Sequence, residues 1–348
     1  MQTDQILVTI PVTLSENTIY TIVSFENGET YADVPVTFQT WGTLNETASN
    51  VVWVCHALTG NHRVQEWWDG LFGPGKFYDP TEQFIVAVNV FGSAYGSFGP
   101  STPAANAKTL YRRFPAITIR DMVQGLEAVR NYLKIDRIAT LIGASVGGQQ
   151  AMEWAIQQPE VFEKLVLIAT NAFHSPFGIA FNEAQRLAIQ ADPTFYEDRP
   201  EGGKQGLIAA RAIGMLSYRT YEGYDVPQHE DDPDKTDNYK AASYQKYQGE
   251  KLAKRFNAYS YWCLSKAMDS HHVGRNRGPA EEVLKSIQAE TLVIGIDSDL
   301  LFPLNEQQFL AEHIPQAKLV TLQSVFGHDG FLVEYDQLLH HLTAFYKN

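Results

Sequence analysis

The sequence contains few cysteines and no long hydrophobic run. Cys55 and Cys263 are the only two cysteines in 348 residues, which excludes a disulfide framework and favours two buried thiols. No apolar run approaches the roughly 20 residues that a membrane-spanning helix needs. Residues 1–5 lack the basic stretch and apolar core of a signal peptide. We therefore expect a soluble, cytoplasmic protein that does not bind a membrane.

The sequence also lacks an excess of positive charge. The formal net charge of −13 argues against nucleic acid or an anionic membrane as the main partner, because either needs a broad basic face. A small phosphate-bearing ligand remains possible, since it needs only a local basic cluster. No group of His, Asp and Glu has the spacing of metal ligands, so no metal is expected. With 44% apolar and 19% charged residues and no repeat, the chain is typical of a globular protein.

Short apolar runs separated by helical patterns indicate an α/β fold with a mixed sheet of about eight strands. The runs from residue 84 onward are mostly continuous, as in parallel strands that are covered on both faces. The earlier runs lack intervening helices and should form an antiparallel edge. The predicted strands are residues 19–24, 34–41, 51–55, 84–90, 138–142, 165–169, 291–296 and 319–322.

The pattern changes between Ala172 and about Pro279, where strand signals disappear and helical patterns dominate. Helices are predicted over residues 183–190, 206–216 and 247–266, with an acidic, proline-containing loop at 228–235. We interpret residues 172–284 as a helical cap inserted between two parts of the core, 1–171 and 285–348. Its aromatic side chains would form the wall of a pocket or a subunit interface. They are Tyr218, Tyr221, Tyr224, Tyr244, Tyr247, Tyr259, Tyr261 and Trp262.

The segment Gly143-Ala144-Ser145-Val146-Gly147 joins a predicted buried strand to a predicted helix. A serine on such a sharp turn has a strained backbone, so the positions two before and two after it must be nearly free of side chains. Gly143 and Gly147 satisfy this requirement. The context favours Ser145 as a nucleophile over an ordinary turn residue.

A serine nucleophile needs an imidazole base and a carboxylate that orients the base. In a sheet of this kind, the expected chain order is serine, then the acid, then histidine. His328, in a glycine-containing loop after the last strand, is the best candidate among ten histidines. Asp297 and Asp299 both follow the preceding strand, and the spacing does not choose between them.

An oxyanion hole needs two backbone N–H groups directed at the developing negative oxygen. One should come from Val146, the residue after the nucleophile, and the other from Leu58, in the loop after the strand at 51–55. His56 in the same loop is a poor candidate for the base.

These segments resemble the homoserine O-acyltransferase family of the α/β-hydrolase superfamily, and within it most closely the acetyltransferases. The similar stretches span nearly the whole chain in order. They are residues 55–62, 89–93, 96–100, 118–123, 143–147, 210–211, 216–219, 265–271, 298–303 and 326–332. The resemblance implies an α/β-hydrolase fold and a ping-pong acyl transfer through an acyl-Ser145 intermediate.

The resemblance also implies roles for individual residues. The triad aspartate falls on Asp299, a guanidinium for the homoserine carboxylate on Arg211, and a carboxylate for its ammonium on Asp329. Tyr218 matches a further pocket tyrosine. Acetyl-CoA would be a co-substrate, and no cofactor would be bound permanently. Ala144, Val146 and Phe98 depart from the family pattern, so a succinyl donor and a serine acceptor stay open.

Other functions share this triad. An esterase or thioesterase that uses water needs the same three residues, and a non-catalytic binding protein on this scaffold is a third, weaker reading. For the coenzyme A phosphates, the candidates are Lys108, Arg112, Arg113, Arg275 and Arg277. The aromatic cap helices suggest a homodimer.

Overall fold

The central sheet has eight strands in the order β1-β2-β4-β3-β5-β6-β7-β8. The computed structural model describes residues 13–347, so the prediction about a signal peptide at residues 1–5 lies outside the described residues. The strands are β1 (Leu14–Ser24), β2 (Thr30–Trp41), β3 (Val51–Cys55), β4 (Phe84–Val88), β5 (Ile138–Ala144), β6 (Phe162–Ile168), β7 (Glu290–Ile296) and β8 (Lys318–Leu322). All eight predicted strands are present, with ends that differ by a few residues.

The antiparallel edge consists of β1 and β2, and β2 also pairs antiparallel with β4. The prediction is wrong for β3, which lies inside the sheet and pairs in parallel with both β4 and β5. A parallel pair needs a long crossover connection. Here the crossover from β3 to β4 contains only the four-residue helix α1 (Val64–Trp67), which leaves no helical pattern in the sequence.

Alternate residues of the strands enter two separate apolar cores, one on each face of the sheet. In β3, Trp53 belongs to the first core, whereas Val52 and Val54 belong to the second. The first core is covered by α2 (Ile119–Leu133) and α3 (Val146–Gln157). Both cysteine thiols are buried, and burial raises the pKa of Cys55 and raises that of Cys263 to about 12.

The chain between β6 and β7 forms helices only, apart from a bridge between Phe173 and His272. The predicted helix at 247–266 is two helices, because the Asn257 side chain accepts from the Ser260 N–H at 2.8 Å and starts a new helix there. The helices are α4 (Pro176–Gln190), α5 (Lys204–Tyr218), α6 (Tyr221–Gln228), α7 (Lys240–Ala253), α8 (Ala258–Asp269) and α9 (Ala280–Leu284).

The last part of the chain returns to the sheet. It adds α10 (Leu304–His313) after β7 and α11 (Tyr335–Tyr346) after β8, and α11 covers the second core. Within residues 13–347, no helix is both long enough and apolar enough to cross a bilayer.

Candidate active site

Ser145 lies on the turn between β5 and α3 with a backbone φ of +56°. A Cβ added at Gly143 would lie 2.2 Å from the Gly147 carbonyl oxygen, and one at Gly147 would lie 2.2 Å from the Cys55 oxygen. Both glycines are therefore required by close backbone approach, as the sequence predicted. The Ser145 N–H donates to the Ile168 carbonyl at 2.9 Å, which fixes the strained turn against β6.

The approach of Gly147 to β3 brings the loop with Leu58 beside the first turn of α3. The Gln150 side chain donates to the His56 carbonyl at 3.2 Å and fixes this loop to α3. In the described chain, neither the Val146 N–H nor the Leu58 N–H donates to a protein acceptor. Two unused N–H groups beside a serine are the arrangement that an oxyanion hole requires.

His56 is buried and supports this loop. Its Nδ1 bonds to the Ala57 carbonyl at 2.9 Å, and its Nε2 accepts from the Val90 N–H at 3.3 Å. Burial lowers the pKa of His56 to about 4, so the ring is neutral at pH 7. With both nitrogens used, His56 has a structural role in the loop.

His328 and Asp299 form a buried pair. His328 Nδ1 donates to Asp299 Oδ2 at 2.7 Å, and the other Asp299 oxygen accepts from the N–H groups of Leu301 and Phe302 at 2.8 and 2.9 Å. Asp297 instead accepts from the Ser324 N–H at 3.0 Å. The geometry therefore selects Asp299 as the partner of the imidazole and gives Asp297 a loop contact.

The ring of His328 stacks on Phe302 with centroids 5.0 Å apart and lines the same cavity as Ser145. Burial favours the neutral imidazole, but the Asp299 charge and hydrogen bond outweigh it, and the pKa of His328 is raised. An imidazole held this way can take a proton from a neighbouring hydroxyl and keep it as a stabilised cation.

The cavity at Ser145 measures about 90 Å³ and lies between the core and the cap. The cap contributes Arg211 and Tyr218 from α5, with the guanidinium 5.2 Å from the centre of the tyrosine ring. Arg211 forms no ion pair with any carboxylate among residues 13–347. Asp329 lines the cavity too, and its Oδ2 accepts from Arg219 Nε at 2.8 Å. The sequence did not predict this Arg219–Asp329 pair.

Four of the five basic residues suggested for coenzyme A are held in ion pairs with carboxylates. Arg112 and Arg113 pair with Asp198 at 3.1 and 3.9 Å, on the cap side of the molecule. Arg275 pairs with Glu26 and Arg277 with Glu153, at 2.6 and 2.5 Å. Neither these four residues nor Lys108 line the cavity at Ser145.

Several residues that hold the surroundings of Ser145 in place gave no signal in the sequence. Thr170 donates to the Ser145 carbonyl at 2.8 Å. The next residue, Asn171, accepts from Gln149 of α3 and donates to Glu306 of α10, both at 2.9 Å. Burial raises the pKa of Glu306 to about 7. Within the described range, no group of three or more His, Cys, Asp or Glu side chains could hold a metal ion.

Comparisons with known proteins show the family to which this chain belongs. The α/β hydrolase fold family model matches residues 50–335. The homoserine O-acetyltransferase of Cyclobacterium marinum is 47% identical over 325 residues, which cover 93% of this chain and 92% of that protein. The homoserine O-acetyltransferase of Salinibacter ruber is 42% identical over 342 residues, with 93% and 95% covered.

Solved structures show the same fold. A homoserine O-acetyltransferase from Staphylococcus aureus has a TM-score of 0.79 at 30% identity and covers 95% of both chains. Esterase E22 has a TM-score of 0.86 at 22% identity, covers 96% of this chain and 100% of its own, and is similar in fold alone. From its sequence relatives and its site geometry, this chain is an acyltransferase that belongs to the homoserine O-acetyltransferase family of α/β-hydrolase-fold enzymes.

Proposed function

We propose that this enzyme transfers an acetyl group from acetyl-CoA to the side-chain hydroxyl of L-homoserine. The observation that carries the proposal is a single cavity lined by Ser145, His328 and Arg211, whose guanidinium has no carboxylate partner in the described chain. A hydrolase that uses water needs the first two residues but has no use for an unpaired cation there. The names of relatives at 47% and 42% identity support the same acyl group and the same acceptor.

The first half-reaction acylates Ser145. His328 takes the hydroxyl proton while the serine oxygen attacks the thioester carbonyl, and the N–H groups of Val146 and Leu58 stabilise the oxyanion. The carbon–sulfur bond then breaks, and His328 returns the proton to the sulfur of coenzyme A. Asp299 accepts the hydrogen bond from His328 Nδ1 and holds the imidazole in the required tautomer.

The second half-reaction repeats these steps with the homoserine hydroxyl as the nucleophile. Arg211 would bind the amino-acid carboxylate through two parallel N–H···O bonds, with Tyr218 supporting the guanidinium. Asp329 would bind the ammonium through the oxygen that Arg219 leaves free. His328 delivers the proton back to Ser145 when the ester is released. The product would enter methionine biosynthesis in the cytoplasm.

The experiment that tests this proposal is thiol release from acetyl-CoA and succinyl-CoA, each with L-homoserine, with L-serine and without an acceptor. We expect rapid release only with acetyl-CoA and homoserine. Release that ignores the amino acid would contradict the proposal and indicate a thioesterase. Faster thiol release with succinyl-CoA or with L-serine would contradict the proposed donor or the proposed acceptor. The enzyme would still be an acyltransferase.

Arg211→Leu is expected to raise the KM for homoserine by about 100-fold, because a charge-assisted, bidentate contact in a partly buried site is lost. Acylation of Ser145 by acetyl-CoA, followed as a burst of thiol, should change by less than about threefold. Arg137→Leu is the matched control, because Arg137 is exposed and absent from the cavity lining. Equal losses in both half-reactions would contradict the assigned role.

Exposed apolar side chains on the cap helices support a homodimer. Large apolar side chains on α4, α5 and α6 are exposed, with Leu187 57%, Leu216 55% and Val226 79% accessible. Exposed apolar side chains of this size on neighbouring helices are typical of protein interfaces. We expect light scattering to give twice the chain mass of 39.1 kDa. A mass equal to that of one chain at micromolar concentration would contradict the dimer.

A further inference from the structure

Asn182 of α4 lines the cavity at Ser145, although it is buried, at 3% exposure. Its amide nitrogen is fully used, because Nδ2 donates to Asp269 Oδ1 at 2.8 Å and lies 3.3 Å from His174 Nε2. Its carbonyl oxygen accepts no hydrogen bond from any group in residues 13–347. The residue therefore presents one unused polar atom, an acceptor, in the cavity.

The orientation of this amide is fixed by charge. The Asp269 carboxylate can only accept, so a flipped amide would place two acceptors against each other. Asp269 is itself held by Arg186, whose Nη2 lies 2.5 Å from Asp269 Oδ2, and Arg186 is only 3% exposed. The series Arg186–Asp269–Asn182, with both ends buried, therefore leaves the Asn182 oxygen preorganised for a donor from a substrate.

Three polar residues of the cavity besides Asn182 already form hydrogen bonds within the protein. Gln185 donates to the Phe181 carbonyl at 2.9 Å and accepts from the Tyr261 hydroxyl. The Ser217 hydroxyl donates to the Gly214 carbonyl at 2.8 Å. Asp329 gives one oxygen to Arg219. An ammonium group has three N–H donors, which is more than the remaining oxygen of Asp329 can satisfy.

We propose that Asn182 accepts a hydrogen bond from the α-ammonium group of the amino-acid substrate and makes the enzyme selective for acceptors that carry this group. The proposal rests on the amino-acid acyl transfer proposed above. The Asn182 oxygen has only lone pairs, so it repels the substrate carboxylate and the thioester oxygen. In the second half-reaction the homoserine hydroxyl proton goes to His328, which leaves the ammonium as the donor.

The test compares L-homoserine with 4-hydroxybutanoate, which lacks the amino group, as acceptors for the wild type and for Asn182→Leu. For the wild type, kcat/KM should be at least about 100-fold higher with homoserine, since both Asp329 and Asn182 then find a partner. In Asn182→Leu, kcat/KM for homoserine should fall about 10- to 30-fold. The kcat/KM for 4-hydroxybutanoate should change by less than threefold. The ratio of kcat/KM for homoserine to that for 4-hydroxybutanoate should therefore fall.

Two controls keep the result interpretable. The burst of thiol from acetyl-CoA without an acceptor reports whether the variant is folded and acylated, and it should change by less than threefold. Ser217→Ala, in the same cavity, should leave the ratio between the two acceptors unchanged. An unchanged ratio in Asn182→Leu, or a burst slowed as much as the homoserine reaction, would overturn the role of Asn182. If the wild type releases thiol at the same rate with and without homoserine, the result contradicts the proposed acyl transfer itself rather than the role of Asn182.

Discussion

Replacement of Ser145 by alanine is expected to lower kcat by at least about 10⁴-fold, because the covalent acyl-enzyme can no longer form. Residual turnover would come only from substrate binding and from the N–H groups of Val146 and Leu58. The fold should be retained, since the turn depends on Gly143, Gly147 and the Ser145 backbone rather than on the hydroxyl. Thiol release from acetyl-CoA measures the loss.

Mass spectrometry of the protein mixed with acetyl-CoA gives the decisive control. The wild type should gain one acetyl group on Ser145 in the absence of homoserine, and the alanine variant should gain none. An acetylated alanine variant, or turnover within tenfold of the wild type, would show that another residue is the nucleophile.

The two neighbouring aspartates provide a matched pair of variants. Asp299→Asn should lower kcat by about 10⁴-fold, because an amide in place of the carboxylate favours the wrong imidazole tautomer at His328. Asp297→Asn should change kcat by less than about threefold, since its oxygen accepts only the Ser324 N–H. Comparable losses in the two variants would contradict the assignment of Asp299.

The pH profile of the residual activity distinguishes this explanation from simple misfolding. His328 must be neutral to act as a base, so activity falls as the pH drops through its pKa. In the wild type, burial lowers this pKa but the Asp299 charge raises it more, and the pKa lies above the usual value. In Asp299→Asn the charge is lost while the burial of His328 remains, so the pKa of His328 should fall. The loss of activity on the acidic side of the pH profile should then occur at lower pH. An unchanged profile on that side would mean that a group other than His328 controls it.

The strands were predictable because burial has a simple local pattern. Continuous apolar runs such as those of β5 and β6 mark strands that are covered on both faces. The same pattern does not encode which strands are neighbours, and β3 was placed at the edge when it lies inside the sheet. The break between α7 and α8 was missed because apolar and aromatic residues continue through it, and only the Asn257 cap marks the start of α8.

The sequence by itself determined Ser145 as the candidate nucleophile and His328 as the candidate base. Both follow from local requirements, namely two glycines where backbones approach within van der Waals distance and a glycine-containing loop after the last strand. Such requirements involve residues next to each other in the chain, so they can be recognised there.

Only the tertiary structure decided which aspartate faces His328, that Arg219 holds Asp329, and that Asn182 offers an unused acceptor in the cavity. The residues of the first two pairs lie 29 and 110 positions apart, and Asn182 lies 87 positions from Asp269. These contacts depend on how the cap packs over the strand ends and on which polar atoms the protein has already used. Which polar atoms form hydrogen bonds with each other depends on segments that are far apart in the chain. The order of residue types along the sequence therefore does not predict these bonds.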